Sequence, residues 1–209
     1  MIQNIIFDMG GVLIDWDICR IMERCGAARE DYNTLLPEIF CGPEWPGMDR
    51  GFLTLQEGCA RICRRLPERL HPVAASCVLD WWKIALVSMP GMADLIREIK
   101  SLGFGIYLLS NATPALHEYF PSIAGSEYFD GKIVSSDLHL LKPQHEIYEA
   151  LFQTFSLRPE NCFFIDDSNL NIEAAENLGM PGAVFFHDLP RLRRELREAG
   201  VPVSEGNAS

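Results

Sequence analysis

The stretch Asn4-Ile5-Ile6-Phe7-Asp8-Met9-Gly10-Gly11-Val12-Leu13 decides the fold. An apolar run ends at a carboxylate and is released at once into a glycine turn, which is where open α/β sheets put their chemistry. Two further apolar runs end the same way: Phe104 to Leu109 stops at Ser110-Asn111, and Cys162 to Ile165 stops at Asp166-Asp167. Three polar strand ends are thus expected on one rim. After residue 90 strands and helices alternate. A helix marked by Met92, Leu95, Ile96 and Ile99 ends near Gly103. After the strand that follows come a helix from Thr113, a short strand from Lys132 to Ser135 and a helix after Lys142. A strand before Asp166, a helix ending at Gly179 and a strand from Ala183 to Phe186 complete the pattern. Such alternation predicts an α/β fold with a doubly wound parallel sheet.

Adjacent carboxylates raise each other's pKa unless a cation or a hydrogen-bond network compensates. A hard divalent cation suits Asp166-Asp167, because carboxylate and carbonyl oxygens match magnesium. Lys142, in Leu140-Leu141-Lys142-Pro143, adds a charge able to neutralise phosphate oxygens. Each residue alone also has a plainer reading. Asp8 could form a turn, Lys142 could be solvated, and an aspartate could cap the helix carrying Ile172, Ala175 and Leu178. Capping explains one acid of the pair, not two. Thr113 is expected to cap its helix with Pro114 in the first turn, and Pro143 to open the helix striped by Ile147, Ala150, Leu151 and Phe155.

In the order of the chain, Phe7-Asp8-Met9-Gly10-Gly11-Val12, Leu109-Ser110-Asn111, Leu141-Lys142-Pro143 and Phe164-Ile165-Asp166-Asp167-Ser168 through Asn171-Ile172 form one set. With these motifs the chain resembles the haloacid dehalogenase superfamily, in particular its small sugar-phosphate phosphatases of the glucose-1-phosphate phosphatase type. The resemblance implies a Mg2+-dependent phosphotransferase in which Asp8 attacks phosphorus and forms an aspartyl-phosphate that water hydrolyses. It makes Ser110 and Asn111 grip the phosphate, and Lys142 pair with both phosphate and Asp8. Asp8, the main-chain oxygen of Gly10, Asp167 and Asp166, directly or through water, hold the metal. Asn171 orients Lys142 or a metal-bound water.

Gly10 departs from the family pattern, because most phosphatases of the superfamily carry a second aspartate there as general acid and base. Such assistance is worth about 10²- to 10⁴-fold. Its loss implies slow turnover or substrates with good leaving groups. Asp15 is the nearest substitute in sequence, although its plainer role is to cap the next helix.

Residues 15–89 read as helices without strands, punctuated by Pro37, Gly42-Pro43, Pro46-Gly47 and Pro67. They form a predicted small helical cap inserted after the first strand, with 1–14 and 90–209 as the core. Superfamily relatives use such caps to close over substrate. Trp45, Asp49 and Arg50 are expected on its substrate side, while one ring of Trp81-Trp82 packs into its core.

The chain has 209 residues and a formal net charge of −11, which argues against nucleic-acid partners and anionic membranes. Seven cysteines without a Cys-x-x-Cys pair fit a reducing compartment. With a strand beginning almost at Met1 and no apolar stretch of membrane-spanning length, a cytoplasmic protein is expected. The arginines of Arg191-Leu192-Arg193-Arg194 are expected on a solvated helix face, and the last dozen residues to fray.

Three functions compete. The first is hydrolysis of a small phosphorylated metabolite. The second is metal-free dehalogenation, which gains little from two adjacent acids. The third is binding or regulation by a protein that has lost efficient catalysis. A phosphomutase, needing an acid and base at the position of Gly10, fits less well.

Overall fold

The computed structural model describes residues 1–205. Five parallel strands form its sheet: β1 (Asn4–Phe7), β2 (Gly105–Ser110), β3 (Gly131–Val134), β4 (Cys162–Asp166) and β5 (Gly182–Val184), in the order β3-β2-β1-β4-β5. Central strands of such a sheet are covered on both faces, so they read as unbroken apolar runs. In β1, Ile5 and Phe7 point into one core layer and Ile6 into the other, as the two-residue period of a strand requires. The expected doubly wound parallel α/β architecture is the one observed.

From β1 the chain winds outward to β2 and β3, then crosses back to β4 and β5 on the other side. The reversal lies between β1 and β4, and open α/β sheets bind ligands at that crevice. Phe7 pairs with Ile165, and the Asp8 amide donates to the Ile165 carbonyl at 2.8 Å. Asp8 and Asp166 therefore stand side by side at the crevice.

Between β1 and the helix before β2 lie only helices: α1 (Ile18–Arg24), α2 (Tyr32–Ile39), α3 (Glu44–Asp49), α4 (Leu55–Cys63), α5 (His71–Leu79) and α6 (Trp81–Ala85). The segment leaves and returns side by side. The Asp15 amide donates to Val87, and the Met89 amide donates to Leu13. Helix α7 (Met92–Ser101) then buries Met92, Leu95, Ile96 and Ile99 and stops before Gly103, where φ is +86°.

Several local expectations are corrected. The chain turns at Pro114-Ala115, and the short helix α8 spans Leu116–Tyr119 with Ala115 as its cap residue, so Thr113 does not cap it. After the single-turn helix α9 (Ser135–Leu138), Lys142-Pro143 form a turn, and α10 (His145–Phe155) opens two residues past Pro143. Helix α11 (Asn169–Asn177) follows β4, and α12 (Leu189–Glu198) closes the fold. On α12, Arg193 is buried and paired with Glu98, not solvated. Its guanidinium also reaches Ser204, and Val201 and Val203 are buried. This part of the terminal dozen packs instead of fraying, and 206–209 lie outside the described residues. Among the described residues no helix is long and apolar enough to cross a membrane.

Candidate active site

At the crevice, the strand ends hold a charged cluster over a cavity of about 220 Å³. Lys142 is almost wholly buried, and its Nζ lies 2.7 Å from Asp8 Oδ1 and 2.6 Å from Asp166 Oδ2. Burial alone would depress this ammonium, but Asp166 and Asp8 outweigh that penalty and hold its pKa above the ordinary lysine value. Burial pushes Asp8 in the opposite sense, up to about 7; Lys142 pulls it down, while Asp166 and Asp167 add to the rise.

The cluster is built from local sequence. Asp166 ends β4 without solvent exposure, and its Oδ1 accepts from the Ser168 amide at 2.8 Å and the Asn171 Nδ2 at 3.0 Å. Its Oδ2 takes Lys142. Both Asp166 oxygens are therefore engaged, and it shares the Lys142 ammonium with Asp8. Asn171, one helical turn into α11, reaches the Asp166 carboxylate and thus bears on Lys142 through it.

Asp167 is exposed and its carboxyl comes close to Gly11, where a Cβ would collide with it. The positive φ of +70° at Gly11 is the other reason glycine stands there. Although the residue keeps an exposed edge, the partial burial of its carboxyl together with the Asp166 charge raises the Asp167 pKa. Asp8, Asp166 and Asp167 each offer an oxygen within 4.8 Å of the others. Three carboxylates against one ammonium leave a formal −2, the charge a divalent cation cancels. The donor set, all hard oxygen, fits magnesium. Gly10 lines the same cavity, and its carbonyl accepts no main-chain hydrogen bond among the described residues.

The remaining sequence candidates divide. Asn111 lines the cavity, but its side chain clamps the main chain of Lys142: Oδ1 accepts from the Lys142 amide at 2.8 Å and Nδ2 donates to its carbonyl at 3.0 Å. Ser110 is buried at 1 % exposure at the end of β2, behind the cavity wall. Asp15 pairs with Arg20, away from the cavity. Arg50 turns toward the core and donates to Gln144 Oε1 at 3.0 Å. Trp45 and Asp49 do line the cavity.

The opposite wall is aromatic. Trp16 meets Trp45 at 5.9 Å and Trp81 at 4.8 Å between ring centroids, and Trp81 meets Tyr119 at 5.5 Å. Both Trp81 and Trp82 are buried, and Trp81 faces the cavity instead of the interior of the helical segment. Trp16, Trp81, Thr113 and Tyr119 are lining residues that the sequence reading did not place. Trp81-Trp82 was the one available signal, and it was assigned to packing.

Comparison with known proteins agrees with this geometry. The family model for haloacid dehalogenase-like hydrolases matches residues 2–179. The sesquiterpene phosphatase astK of Aspergillus oryzae is 26% identical over 85% of this chain and 86% of its own. The D-ribitol-5-phosphate phosphatase of Bacteroides thetaiotaomicron is 26% identical over 86% of this chain and 89% of its own. Drimenol cyclase drtB of Aspergillus calidoustus is 24% identical over 99% of this chain, which spans only 38% of that longer protein. A crystal structure of the family enzyme bt-2542 from Bacteroides thetaiotaomicron, in complex with magnesium and inorganic phosphate, superimposes with a TM-score of 0.72. It is 22% identical and covers 92% of this chain and 99% of its own. The chain belongs to the haloacid dehalogenase-like hydrolases.

Proposed function

We propose that the protein is a magnesium-dependent hydrolase of small phosphomonoesters that works through an aspartyl-phosphate on Asp8. The observation that carries this reading is Lys142 Nζ bridging Asp8 and Asp166 at 2.7 and 2.6 Å beneath the cavity. A carboxylate so paired is oriented as a nucleophile, and the same ammonium can neutralise a phosphoryl oxygen. Asp8 and Asp167 would hold the magnesium with the Gly10 carbonyl, and Asp166, with both oxygens already engaged, would position Lys142. Bound there, the cation would offset phosphoryl charge and lower the repulsion among the three acids. Asn111 would fix the Lys142 turn at the phosphate, with Ser110 behind it as a further contact. Helical residues 15–89 would form the cap that closes over the leaving group.

The phosphatase names of two relatives and the magnesium and phosphate of a structural neighbour support the same class. The cavity of about 220 Å³ can take a small phosphorylated group such as that of a sugar phosphate. A second reading, phosphometabolite binding with weak turnover, is favoured by one observation: no acid stands at Gly10. The discriminating test is a phosphate-release screen over sugar, terpenoid, nucleoside and acyl phosphates, with and without magnesium. Magnesium-dependent release lost in Asp8→Asn supports hydrolysis. Tight calorimetric binding without release, unchanged by Asp8→Asn, supports binding.

A further inference from the structure

Gly10 lines the cavity beside Trp16. The position a Cβ would take lies in ordinary contact with that ring, 3.7 Å from Trp16 Cγ and 3.8 Å from Trp16 Cβ. Glycine leaves no carboxyl at this place, and the nearest wall is aromatic. Of the acids around the cavity, Asp8, Asp166 and Asp167 belong to the charged cluster at the strand ends. Asp49 belongs to the other side. It ends helix α3, lines the cavity, and forms no ion pair or side-chain hydrogen bond among the described residues.

The end of α3 is also fastened to the core. Ser135 Oγ donates to the Asp49 carbonyl at 2.5 Å, and the Arg50 carbonyl lies 2.9 Å from His139 Nδ1. Gly51 packs so closely on the Ser136 carbonyl that a Cβ would lie 2.6 Å from it. A carboxyl held at a fixed height over a cavity without a partner is costly to the fold and calls for a role in the chemistry.

We propose that Asp49, reaching across from the helical segment, is the catalytic acid and base that Gly10 cannot supply. This deepens the hydrolase reading and rests on it. In the first step an Asp8 oxygen forms a bond to phosphorus while the ester P–O bond breaks. The bonding pair passes to the leaving oxygen, which takes the proton from the Asp49 carboxyl and departs as an alcohol. In the second step a water oxygen bonds to phosphorus and Asp49 accepts its proton. The P–O bond to Asp8 then breaks with its pair returning to Asp8, and inorganic phosphate leaves. Ester and water are consumed, alcohol and phosphate are formed, and both carboxyls are restored.

Burial, with Asp8 adding to it, pushes the Asp49 pKa up to about 7, close to the value a group giving and taking protons near neutrality needs. The other titratable groups around this cavity are Asp8, Lys142, Tyr119 and Asp167. Tyr119 has its pKa raised further still by burial and by Asp49 and Asp8, and its hydroxyl lies 3.4 Å from Met9 Sδ. It is a poorer donor.

The test pairs two leaving groups in Asp49→Asn, with Asp49→Ala as a second variant should the first fold poorly. An alkyl phosphate needs a proton on departure, whereas p-nitrophenolate does not. With magnesium present, single-turnover cleavage of the alkyl phosphate should fall about 10²- to 10⁴-fold. The burst of p-nitrophenolate should stay within about tenfold of the parent, because that step needs no acid. Equal losses on both substrates, or no loss on either, overturn the assignment to Asp49 while leaving Asp8 chemistry intact. Absence of Asp8-dependent release in the parent protein overturns both.

Discussion

On the core wall of the cavity every charged group but one is bonded to another: Lys142 to Asp8 and Asp166, and Asp166 to Ser168 and Asn171. On the facing wall Trp16, Trp45, Trp81 and Tyr119 present rings, and the carboxyl of Asp49 forms no ion pair or side-chain hydrogen bond among the described residues. The first wall is electrostatically over-determined and fits one kind of reacting group, a phosphoryl. The second offers shape, apolar area and the carboxyl of Asp49, and under the proposed function it would bear on which alcohol leaves.

The comparison breaks most readily at Lys142. Lys142→Ala would leave Asp8 and Asp166 buried without their cation, and removal of one partner from a buried pair costs about 3 to 5 kcal/mol. Thermal or urea unfolding should report that loss, with phosphate release abolished. A stable, active Lys142→Ala protein would mean that the core wall is not held by charge.

The next effect concerns Trp16. Gly10→Asp alone should gain less than full general-acid assistance on alkyl phosphates, because its carboxyl must share the space beside the Trp16 ring, which a Cβ already contacts at 3.7 Å. With Trp16→Leu added, turnover should rise about tenfold or more, toward the range of general-acid assistance. Steady-state rates on an alkyl phosphate series decide this, and a full gain from Gly10→Asp alone would sink the account of the crowded position.

Asp49 gives a smaller, pH-dependent signature in stability. Burial pushes its folded pKa up to about 7, above the ordinary carboxyl value of 3.8. Its ionisation therefore destabilises the fold progressively from about pH 4 upward and fully above about pH 7, whereas protonation removes the cost. Asp49→Asn should melt higher than the parent at about pH 8, with the difference closing toward about pH 4. A constant difference across that window would contradict the burial of this carboxyl. The smallest effect is expected from Asp15→Asn. Its partner Arg20 is half exposed, so the pair contributes at most about 1 kcal/mol, and turnover on alkyl phosphates should be unchanged. A large kinetic loss there would return the role of acid to Asp15.

The two walls also differed in how far they could be read from the chain. Asp8, Lys142 and Asp166-Asp167 were legible because an apolar run ending in a charged residue is a local pattern, and parallel topology brings such ends together. Residues 4–7, 105–110 and 162–166 became strands close to where the runs lay. The aromatic wall was not legible. Trp16, Trp81 and Tyr119 meet only through packing of distant segments, and no periodicity links them. Asp49 and Trp45 line the cavity from helix α3, but Arg50 beside them turns away to Gln144, because a helix end sends neighbouring side chains in different directions. Asp166, expected to hold the cation directly or through water, keeps an oxygen within 4.8 Å of those of Asp8 and Asp167, while its four hydrogen bonds run to Lys142, Ser168 and Asn171, contacts that no local sequence pattern announces. Thr113 failed as a cap because the chain needed a turn there before α8. The arginines of α12 misled for a related reason: the helix period places Arg193 inward, against Glu98, while Arg191 remains outside with Glu195.

Whether Asp8 is the nucleophile can be read directly by acid-quench mass spectrometry of its peptide after rapid mixing with magnesium and p-nitrophenyl phosphate. The account predicts a phosphoryl group on Asp8 in the parent protein, accumulating further in Asp49→Asn because the second step lacks its base, and none in Asp8→Asn. Phosphate release that proceeds undiminished in Asp8→Asn, with no phosphoryl group on Asp8 at any time, would contradict it.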